Sequence, residues 1–168
     1  MKRSAPSPAL ALDTLPGHYI RRLQQIAVAV FLQETEAQGV TPVQFAALQS
    51  VANQPGIDQR TLAATIAFDT STIAGVIDRL EARGLLLRTV APEDKRVRLL
   101  TLTRDGDKLL AAVGPGVLRA QERMLAPLRK AERAEFMRLL RMLVERYGEE
   151  DRRRFLAAHH ALRHVLGL

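Results

Sequence analysis

The chain has 168 residues, of which 47% are hydrophobic and 26% charged, and it contains no cysteine. This length suits one well-buried domain or a small domain with appended helices. The lack of cysteine excludes disulfides, thiolate zinc sites and thiol-based redox sensing. The net charge of +7 favours an anionic partner, with nucleic acid first among the candidates.

The first residues predict a flexible arm, residues 1–14. Met1 to Pro8 mix Lys, Arg, Ser and Pro without apolar periodicity, and they lack the apolar core of a signal peptide. No run approaches the roughly 18 apolar residues of a membrane span. We therefore expect a cytoplasmic protein without a membrane contact.

Residues 16–37 form the first predicted helix. Its main apolar stripe, at steps of three and four residues, comprises Ile20, Leu23, Ala27, Val30 and Phe31. Ile26 and Val28 lie outside that stripe, which suits a helix buried on more than one side, as at a subunit interface. We assign residues 15–40 to an N-terminal dimerisation helix, which Gly39 ends.

Two shorter helices follow. A Thr-Pro-Val-Gln sequence beginning at Thr41 predicts an N-cap, a proline at the first helical position and a capping box, for a helix running to about Asn53. Asp58 is the predicted cap of the next helix, residues 59–67.

A fourth helix is predicted after Asp69 or Thr70, either of which can cap it, and Gly84 follows its end. The apolar stripe of this helix comprises Ile73, Val76, Ile77 and Leu80. Two helices joined by a short turn, the second with a polar exposed face, form a helix-turn-helix.

Two alternating runs, residues 85–90 and 96–102, come next and are joined by a charged, turn-forming segment. This pattern predicts a β-hairpin behind the helix-turn-helix. Residues 41–103 are therefore expected to form a winged helix-turn-helix DNA-binding domain.

Thr103 is the predicted cap of a helix directed toward Pro127. The Gly114-Pro115-Gly116 sequence is expected to kink or break that helix near Val113.

A helix ending at Gly148 is predicted next, and a last one over residues 150–166. The stripe of the former comprises Phe136, Leu139, Leu140, Leu143, Val144 and Tyr147. Such apolar stripes need a partner beyond a winged helix, and a second copy of the chain is the simplest one. Residues 104–168 are therefore expected to be C-terminal dimerisation helices of a homodimer.

These segments resemble the MarR family of bacterial transcription regulators over roughly residues 15–147. The resemblance is carried by TPVQFAAL, DQRTLA, STIAGVIDRLEARGLL and PEDKRVRLLTLTRDG. The opening PGHYIRRLQQI is similar to the subgroup that controls aromatic-acid catabolism. The resemblance implies a mainly α fold with a small β-hairpin wing. It also implies a repressor that binds a palindromic operator as a homodimer and is released by a small anionic aromatic compound.

The start of the fourth helix is the expected major-groove contact. Thr70, Ser71 and Thr72 offer hydroxyls to bases, and Ala74, Gly75 and Asp78 lie further along the exposed face. Because this set lacks arginine, asparagine and glutamine, sequence preference is expected to depend partly on DNA shape. Alternatively, Ser71 and Thr72 only start the helix, and Arg79 pairs with a nearby carboxylate.

At the hairpin tip, Arg96 resembles the family arginine that enters the minor groove. Asp94 is expected to orient it by a charge-assisted hydrogen bond, and Lys95 and Arg98 to contact phosphates. Further candidates for phosphate contacts, which are as often solvated ion-pair partners, are Arg79, Arg83 and Arg88.

An effector site is expected from His18 and Arg22 in the first helix and from Gln44 and Phe45 in the second. An arginine and a histidine can hold a carboxylate while apolar walls hold a ring. The alternative places Arg22 on the outer face and makes His18 an ordinary helix-start residue.

No catalytic or cofactor-binding motif is present, so the sequence predicts neither an enzyme nor a cofactor. His159, His160 and His164 lack the further ligands of a strong metal site, and none is predicted. Two alternatives to a ligand-responsive repressor remain, namely a ligand-independent architectural DNA-binding protein and a winged-helix protein-interaction module.

Overall fold

The computed structural model describes residues 11–146, which are mostly helical and include a small sheet. The helices are α1 (Pro16–Glu34), α2 (Pro42–Asn53), α3 (Gln59–Thr65), α4 (Thr70–Ala82), α5 (Arg104–Met124) and α6 (Lys130–Arg146). The strands are β1 (Ile57–Asp58), β2 (Leu86–Val90) and β3 (Arg98–Leu102). The predicted fold class, mainly α with a β-hairpin wing, is confirmed. We use the name wing for the β2–β3 hairpin, residues 86–102.

The predicted helix starts are confirmed by the hydrogen bonds that cap them. Thr41 and Gln44 form a reciprocal capping box, with N···O distances of 3.3 and 3.0 Å. The carboxylate of Asp58 accepts from the backbone N–H of Thr61 at 2.9 Å, and that of Asp69 caps α4. Each such cap stabilises its helix by ~1 kcal/mol.

The sheet has three antiparallel strands in the order β1-β3-β2. Leu86 lies opposite Leu102 in the wing, and Ile57 lies opposite Leu100 on the other edge of β3. Only the hairpin was predicted from the sequence. The two-residue strand β1 is too short to show an alternating pattern, and it exists because its backbone pairs with β3.

One hydrophobic core holds the winged helix-turn-helix together. The predicted stripe of α4, from Ile73 to Leu80, is fully buried. It packs with Leu48 of α2, Leu62 of α3 and Leu86 of β2. Burying each of these side chains contributes ~1.5–3 kcal/mol. The recognition helix, as we call α4, therefore exposes only its polar face.

A second core joins α1, α2 and α5. Its buried members are Phe31, Val40, Val113 and Ala120. Phe45 packs against Phe31 with ring centroids 6.0 Å apart. This core attaches the winged helix-turn-helix to the long helices that flank it.

Helix α5 continues through Pro115, so of the predicted kink or break near Val113 the break is wrong. A proline inside a helix costs ~3 kcal/mol. Here α5 packs closely against α1. At Gly116 the two helices approach so closely that an added Cβ would lie 2.4 Å from the carbonyl oxygen of Glu34. Arg119 and Arg123 also pair with Glu34 at 3.0 and 3.1 Å. Tertiary packing therefore offsets the local preference.

Apolar side chains remain exposed on the long helices. Helix α6 has no buried residue, and Leu143 and Val144 are 50% and 71% exposed. Of the predicted stripe of α1, only Phe31 is buried within the chain, whereas Ile20 is 63% exposed. Several large apolar side chains left exposed on the same helices favour an interaction site there.

Within residues 11–146 no helix is long and apolar enough to cross a membrane. The predicted helix over residues 150–166, the end of the α6 stripe at Tyr147 and most of the predicted arm lie outside the described residues.

Candidate nucleic-acid interface

Helices α3 and α4 pack as the predicted helix-turn-helix. The turn between them places Ala67 in the left-handed region with φ of 58°, and the backbone N–H of Phe68 donates to the carbonyl of Ala63 at 2.9 Å. Asp69 then starts α4 with its side chain. The N-terminal turn of the recognition helix is thereby presented on the surface.

The hydroxyls at this helix start are held by the capping carboxylate. Ser71 Oγ donates to Asp69 Oδ1 at 2.5 Å, and Thr72 Oγ1 donates to Asp69 Oδ2 at 2.6 Å. Both residues therefore serve the helix start, as the alternative interpretation states. Their oxygens remain acceptors, which suits the amino groups of adenine and cytosine in the major groove. Thr70 is exposed beside them.

Further along this face, Gly75 lies beneath the side chain of Arg79. A Cβ at Gly75 would lie 3.6 Å from Arg79 NH1, which is ordinary contact. Arg79 forms no ion pair with any residue that the structure describes, in contrast to the alternative prediction. Its guanidinium is therefore exposed and available to an anionic partner.

The tip of the wing carries the predicted Asp94–Arg96 pair. Arg96 Nε lies 3.2 Å from Asp94 Oδ1, and the backbone N–H of Arg96 donates to the same oxygen at 2.9 Å. The side-chain hydrogen bond from Arg96, followed by the backbone one, lowers the pKa of Asp94. The predicted orienting contact is confirmed, and the Arg96 side chain is 91% exposed.

Lys95 lies between the two residues of this pair, and Arg98 follows it. Arg98 NH1 donates to the carbonyl oxygen of Lys95 at 2.6 Å, which turns its guanidinium back over the tip. The strand was predicted to begin at Arg96 but begins at Arg98, because Asp94 and Val97 close a turn with a backbone hydrogen bond of 2.9 Å. Arg96 therefore projects from a turn.

Two other arginines make contacts within the chain that the sequence did not reveal. Arg88 pairs with Glu81 and Asp78 of the recognition helix. Arg83 donates to the carbonyl oxygens of Gly39 and Gln38 at 3.0 and 3.4 Å. No spacing rule relates Arg83 to partners more than 40 residues away, so only the folded chain shows this contact.

The predicted effector residues fall into two groups. His18 packs edge-on against Tyr19, with ring centroids 5.7 Å apart, and Arg22 is exposed. Both precede Phe31 on α1, by about 20 Å and about 14 Å along the axis, given the rise of a helix. Phe45 contacts Phe31, so the chain does not gather the predicted residues into one site.

Gln44 adjoins Phe45 and is buried. Its amide oxygen is occupied by the backbone N–H of Thr41. Within the described residues its Nε2 forms no hydrogen bond, so this group is the part of Gln44 that is available to a ligand.

Within residues 11–146, two of the concave surfaces are large enough to describe, and neither is lined by a predicted effector residue. One, of about 490 Å³, is lined by the end of α1 and the segment that follows it, including Leu32, Thr35 and Val40. The other, of about 460 Å³, lies on α6 beside Arg141 and Met142. In the described part of the chain no group of three His, Asp or Glu side chains could hold a metal ion. His159, His160 and His164 lie outside that part.

The winged helix-turn-helix matches the profile described as MarR family over residues 40–97. A crystal structure of the PcaV transcriptional regulator from Streptomyces coelicolor, in complex with its natural ligand, is 37% identical; the match covers 83% of this chain and 98% of PcaV, with a TM-score of 0.77. The chain belongs to the MarR family of transcriptional regulators, which are not enzymes.

Two further solved relatives are similar to this chain over most of their length. BpsR from Bordetella bronchiseptica, whose DNA binding is regulated by 6-hydroxynicotinic acid, is 32% identical; the match covers 81% of this chain and 97% of BpsR, with a TM-score of 0.77. The transcriptional repressor CouR, bound to a 23-mer DNA duplex, is 30% identical; the match covers 79% of this chain and 94% of CouR, with a TM-score of 0.75.

Proposed function

We propose that this protein is a repressor that binds a palindromic operator as a homodimer and is released from it by a small anionic aromatic compound. The observation that carries the DNA-binding part is the exposed Arg96 guanidinium, oriented by Asp94 at the tip of the wing. An arginine preorganised in this way fits the negative potential of a narrow minor groove. The relative CouR, a repressor bound to duplex DNA, supports the same assignment.

On this proposal the recognition helix lies in the major groove. The hydroxyls of Thr70, Ser71 and Thr72 contact base edges there, and Arg79 contacts a phosphate. At the wing, Lys95 contacts a phosphate. Arg98 also contacts a phosphate, once its hydrogen bond to the carbonyl oxygen of Lys95 has broken. Residues 41–103 thus form the DNA-binding domain.

The dimer uses the apolar surface that one chain leaves exposed. Leu143 and Val144 of α6, Leu118 of α5 and Ile20 of α1 are each at least 50% exposed. These helices belong to residues 15–40 and 104–168, outside the winged helix-turn-helix. A two-fold partner would cover this surface and set two recognition helices about one turn of DNA apart.

The effector is a small aromatic carboxylate. The Arg22 guanidinium and the His18 imidazole bind the carboxylate, and Phe45 supplies an apolar wall for the ring. Because Phe45 packs beside Phe31, away from His18 and Arg22 along α1, we place the site at the dimer interface, where α1 of a second chain can complete it. BpsR, regulated by an aromatic acid, supports this class of ligand.

The DNA-binding proposal is tested by selecting duplexes from a random-sequence pool with the purified protein. We expect a two-fold symmetric sequence, bound at least about a thousandfold more tightly than a scrambled duplex. The logarithm of the affinity should fall linearly with the logarithm of the salt concentration, because phosphate contacts release counterions. Equal affinity for both duplexes would instead indicate an architectural DNA-binding protein, and no affinity for either would indicate a protein-interaction module.

The effector proposal is tested by thermal shift and by displacement from the selected duplex, using a panel of hydroxylated aromatic carboxylates. A ligand that binds only the folded protein raises its melting temperature. We expect Arg22→Gln to abolish the shift, and Arg21→Gln, which removes the same charge from the neighbouring residue, to preserve it. The proposal fails if no carboxylate in the panel both stabilises the protein and releases DNA.

A further inference from the structure

Arg88 joins the two parts of the molecule that the proposed function places on DNA. Its NH2 group donates to Asp78 Oδ1 at 2.6 Å, and its Nε donates to Glu81 Oε2 at 2.8 Å. Arg88 belongs to β2 of the wing, whereas both carboxylates belong to the recognition helix. Because the carboxylates are three residues apart, they lie on one side of that helix. A single guanidinium therefore connects strand and helix.

This ion pair lies where the hydrophobic packing of the wing decreases. Leu86, two residues before Arg88, is fully buried, and Val90, two residues after it, is 50% exposed. Residues two apart on a strand leave the same side of it. The Arg88 side chain is itself only 26% exposed. It therefore attaches β2 to the recognition helix at a point between the buried base of the wing and its exposed tip.

The position of Arg88 in the wing allows it to affect the position of Arg96. Arg88 lies opposite Leu100 in the β2–β3 ladder. Arg96 precedes Leu100 by four residues and lies in the turn beyond the start of β3 at Arg98. A change in the angle between the wing and the recognition helix at Arg88 is therefore amplified at the residue that reaches the minor groove.

The same contact changes the charge that the recognition helix presents. Asp78 and Glu81 have side chains that are 60% and 36% exposed. The side-chain hydrogen bond from Arg88 lowers the pKa of Glu81. Two anions beside a DNA surface would repel phosphates, and the Arg88 guanidinium partly neutralises them.

We propose that Arg88 is a positioning residue, which holds the wing at the angle to the recognition helix that lets Arg96 and the helix start bind the same operator half-site. This inference rests on the DNA-binding function proposed above. It assigns Arg88 a role inside the protein, in contrast to a phosphate contact.

The test compares two variants that each remove one negative charge, Glu81→Gln and Glu93→Gln. Glu81 is a partner of Arg88, whereas Glu93 is exposed at the wing tip and forms no ion pair among residues 11–146. Charge alone predicts tighter DNA binding for both variants. If Arg88 positions the wing, Glu81→Gln weakens binding to the selected duplex by about tenfold, the scale of a lost arginine contact, and Glu93→Gln does not.

A second measurement separates positioning from stability. Each affinity is corrected for the fraction of the protein that is active. The Arg96→Ala substitution is then made both in the wild type and in the Glu81→Gln variant. Since Arg96 is already misplaced when the ion pair is lost, removing it should cost less affinity in the Glu81→Gln background than in the wild type. Arg88→Lys, which keeps one charged contact, should retain more affinity than Arg88→Met.

Unchanged or tighter binding by Glu81→Gln would overturn the inference. Fully additive effects of Glu81→Gln and Arg96→Ala on affinity would also overturn it. So would a loss of affinity that occurs in Arg88→Met but not in Glu81→Gln and that lowers the salt dependence by about one phosphate contact. A wild-type protein that selects no duplex would refute the proposed function, and this inference with it. If the wild type binds the selected duplex and Glu81→Gln binds it as tightly or more tightly, only the positioning role is refuted.

Discussion

The guanidinium of Arg83 donates a hydrogen bond of 3.0 Å to the carbonyl oxygen of Gly39 and so joins the end of the recognition helix to the segment between α1 and α2. The same guanidinium reaches the carbonyl of Gln38 at 3.4 Å. We expect Arg83→Met, which keeps the aliphatic stem, to lower the free energy of unfolding by about 0.5–1 kcal/mol. Urea denaturation measures this, and Arg60→Met is the control, because Arg60 is exposed on α3. Equal stability of the two variants would contradict the prediction.

Two glycines of α5 should respond oppositely to the same substitution. A Cβ at Gly116 would lie 2.4 Å from the carbonyl oxygen of Glu34, whereas a Cβ at Gly114 meets nothing within 4 Å. We expect Gly116→Ala to destabilise the protein by about 1–3 kcal/mol through overpacking of α1 against α5. Gly114→Ala should stabilise it by about 0.5–1 kcal/mol, since alanine is the better helix former. Thermal denaturation of both variants gives the comparison, and a shared sign would contradict it.

The ion pairs of Glu34 should make part of the stability depend on pH. The side-chain hydrogen bonds from Arg119 and then Arg123 lower the pKa of Glu34 from its ordinary value of 4.5. A carboxyl group with a lowered pKa stabilises the fold above its unfolded pKa, and the contribution is lost as pH falls through its folded pKa. Wild type should therefore be more stable than Glu34→Gln at neutral pH, and the difference should disappear on acidification below 4.5. Urea denaturation across this range measures it, and a difference that grows toward low pH would have the wrong sign.

Apolar surface on α6 should determine the oligomeric state. Leu143 is 50% exposed on α6, and Leu87 is 52% exposed on the wing. We expect Leu143→Glu to yield monomers, because it places a charge in the proposed interface at high desolvation cost. Leu87→Glu, an identical change at equal exposure, should remain dimeric. Analytical ultracentrifugation distinguishes these outcomes, and a wild-type monomer would refute the interface itself.

Lys95 and Arg96, neighbours at the wing tip, should contribute differently to DNA binding. Lys95→Ala should weaken binding to all duplexes alike and reduce the salt slope by about one contact. Arg96→Ala should cost about 1–3 kcal/mol and relax preference at the positions beneath the wing, since minor-groove width attracts the guanidinium. Titrations of the selected duplex, and of one with G·C pairs under the wing, provide the measurement. Identical behaviour of the two variants would contradict distinct roles.

Much of the fold was predictable because its signals are local. The Thr41 and Asp58 caps and the stripe from Ile73 to Leu80 each determine an element from a few neighbouring residues. The Asp94–Arg96 pair was predictable for the same reason, since its partners are two residues apart. Family resemblance then supplied the expectation that this turn faces DNA.

Where distant segments meet, one prediction failed and one element was missed. Pro115 favours a broken helix, yet the contact of Gly116 with Glu34 keeps α5 continuous. The strand at Ile57 has no pattern of its own and is created by pairing with Leu100. In both cases a tertiary contact outweighed a weak local preference.

The sequence by itself determined where α1 to α5 start and that Asp94 and Arg96 lie two residues apart at the wing tip, because caps, stripes and turns act over a few residues. Only the tertiary structure decided which arginines are held by distant groups. Arg79 forms no ion pair within the described residues, and Arg96 pairs with Asp94, two residues away. Arg88 and Arg83 are instead bound to groups that the fold brings beside them. Charge along a chain does not reveal such partners, because an ion pair depends on distance in space.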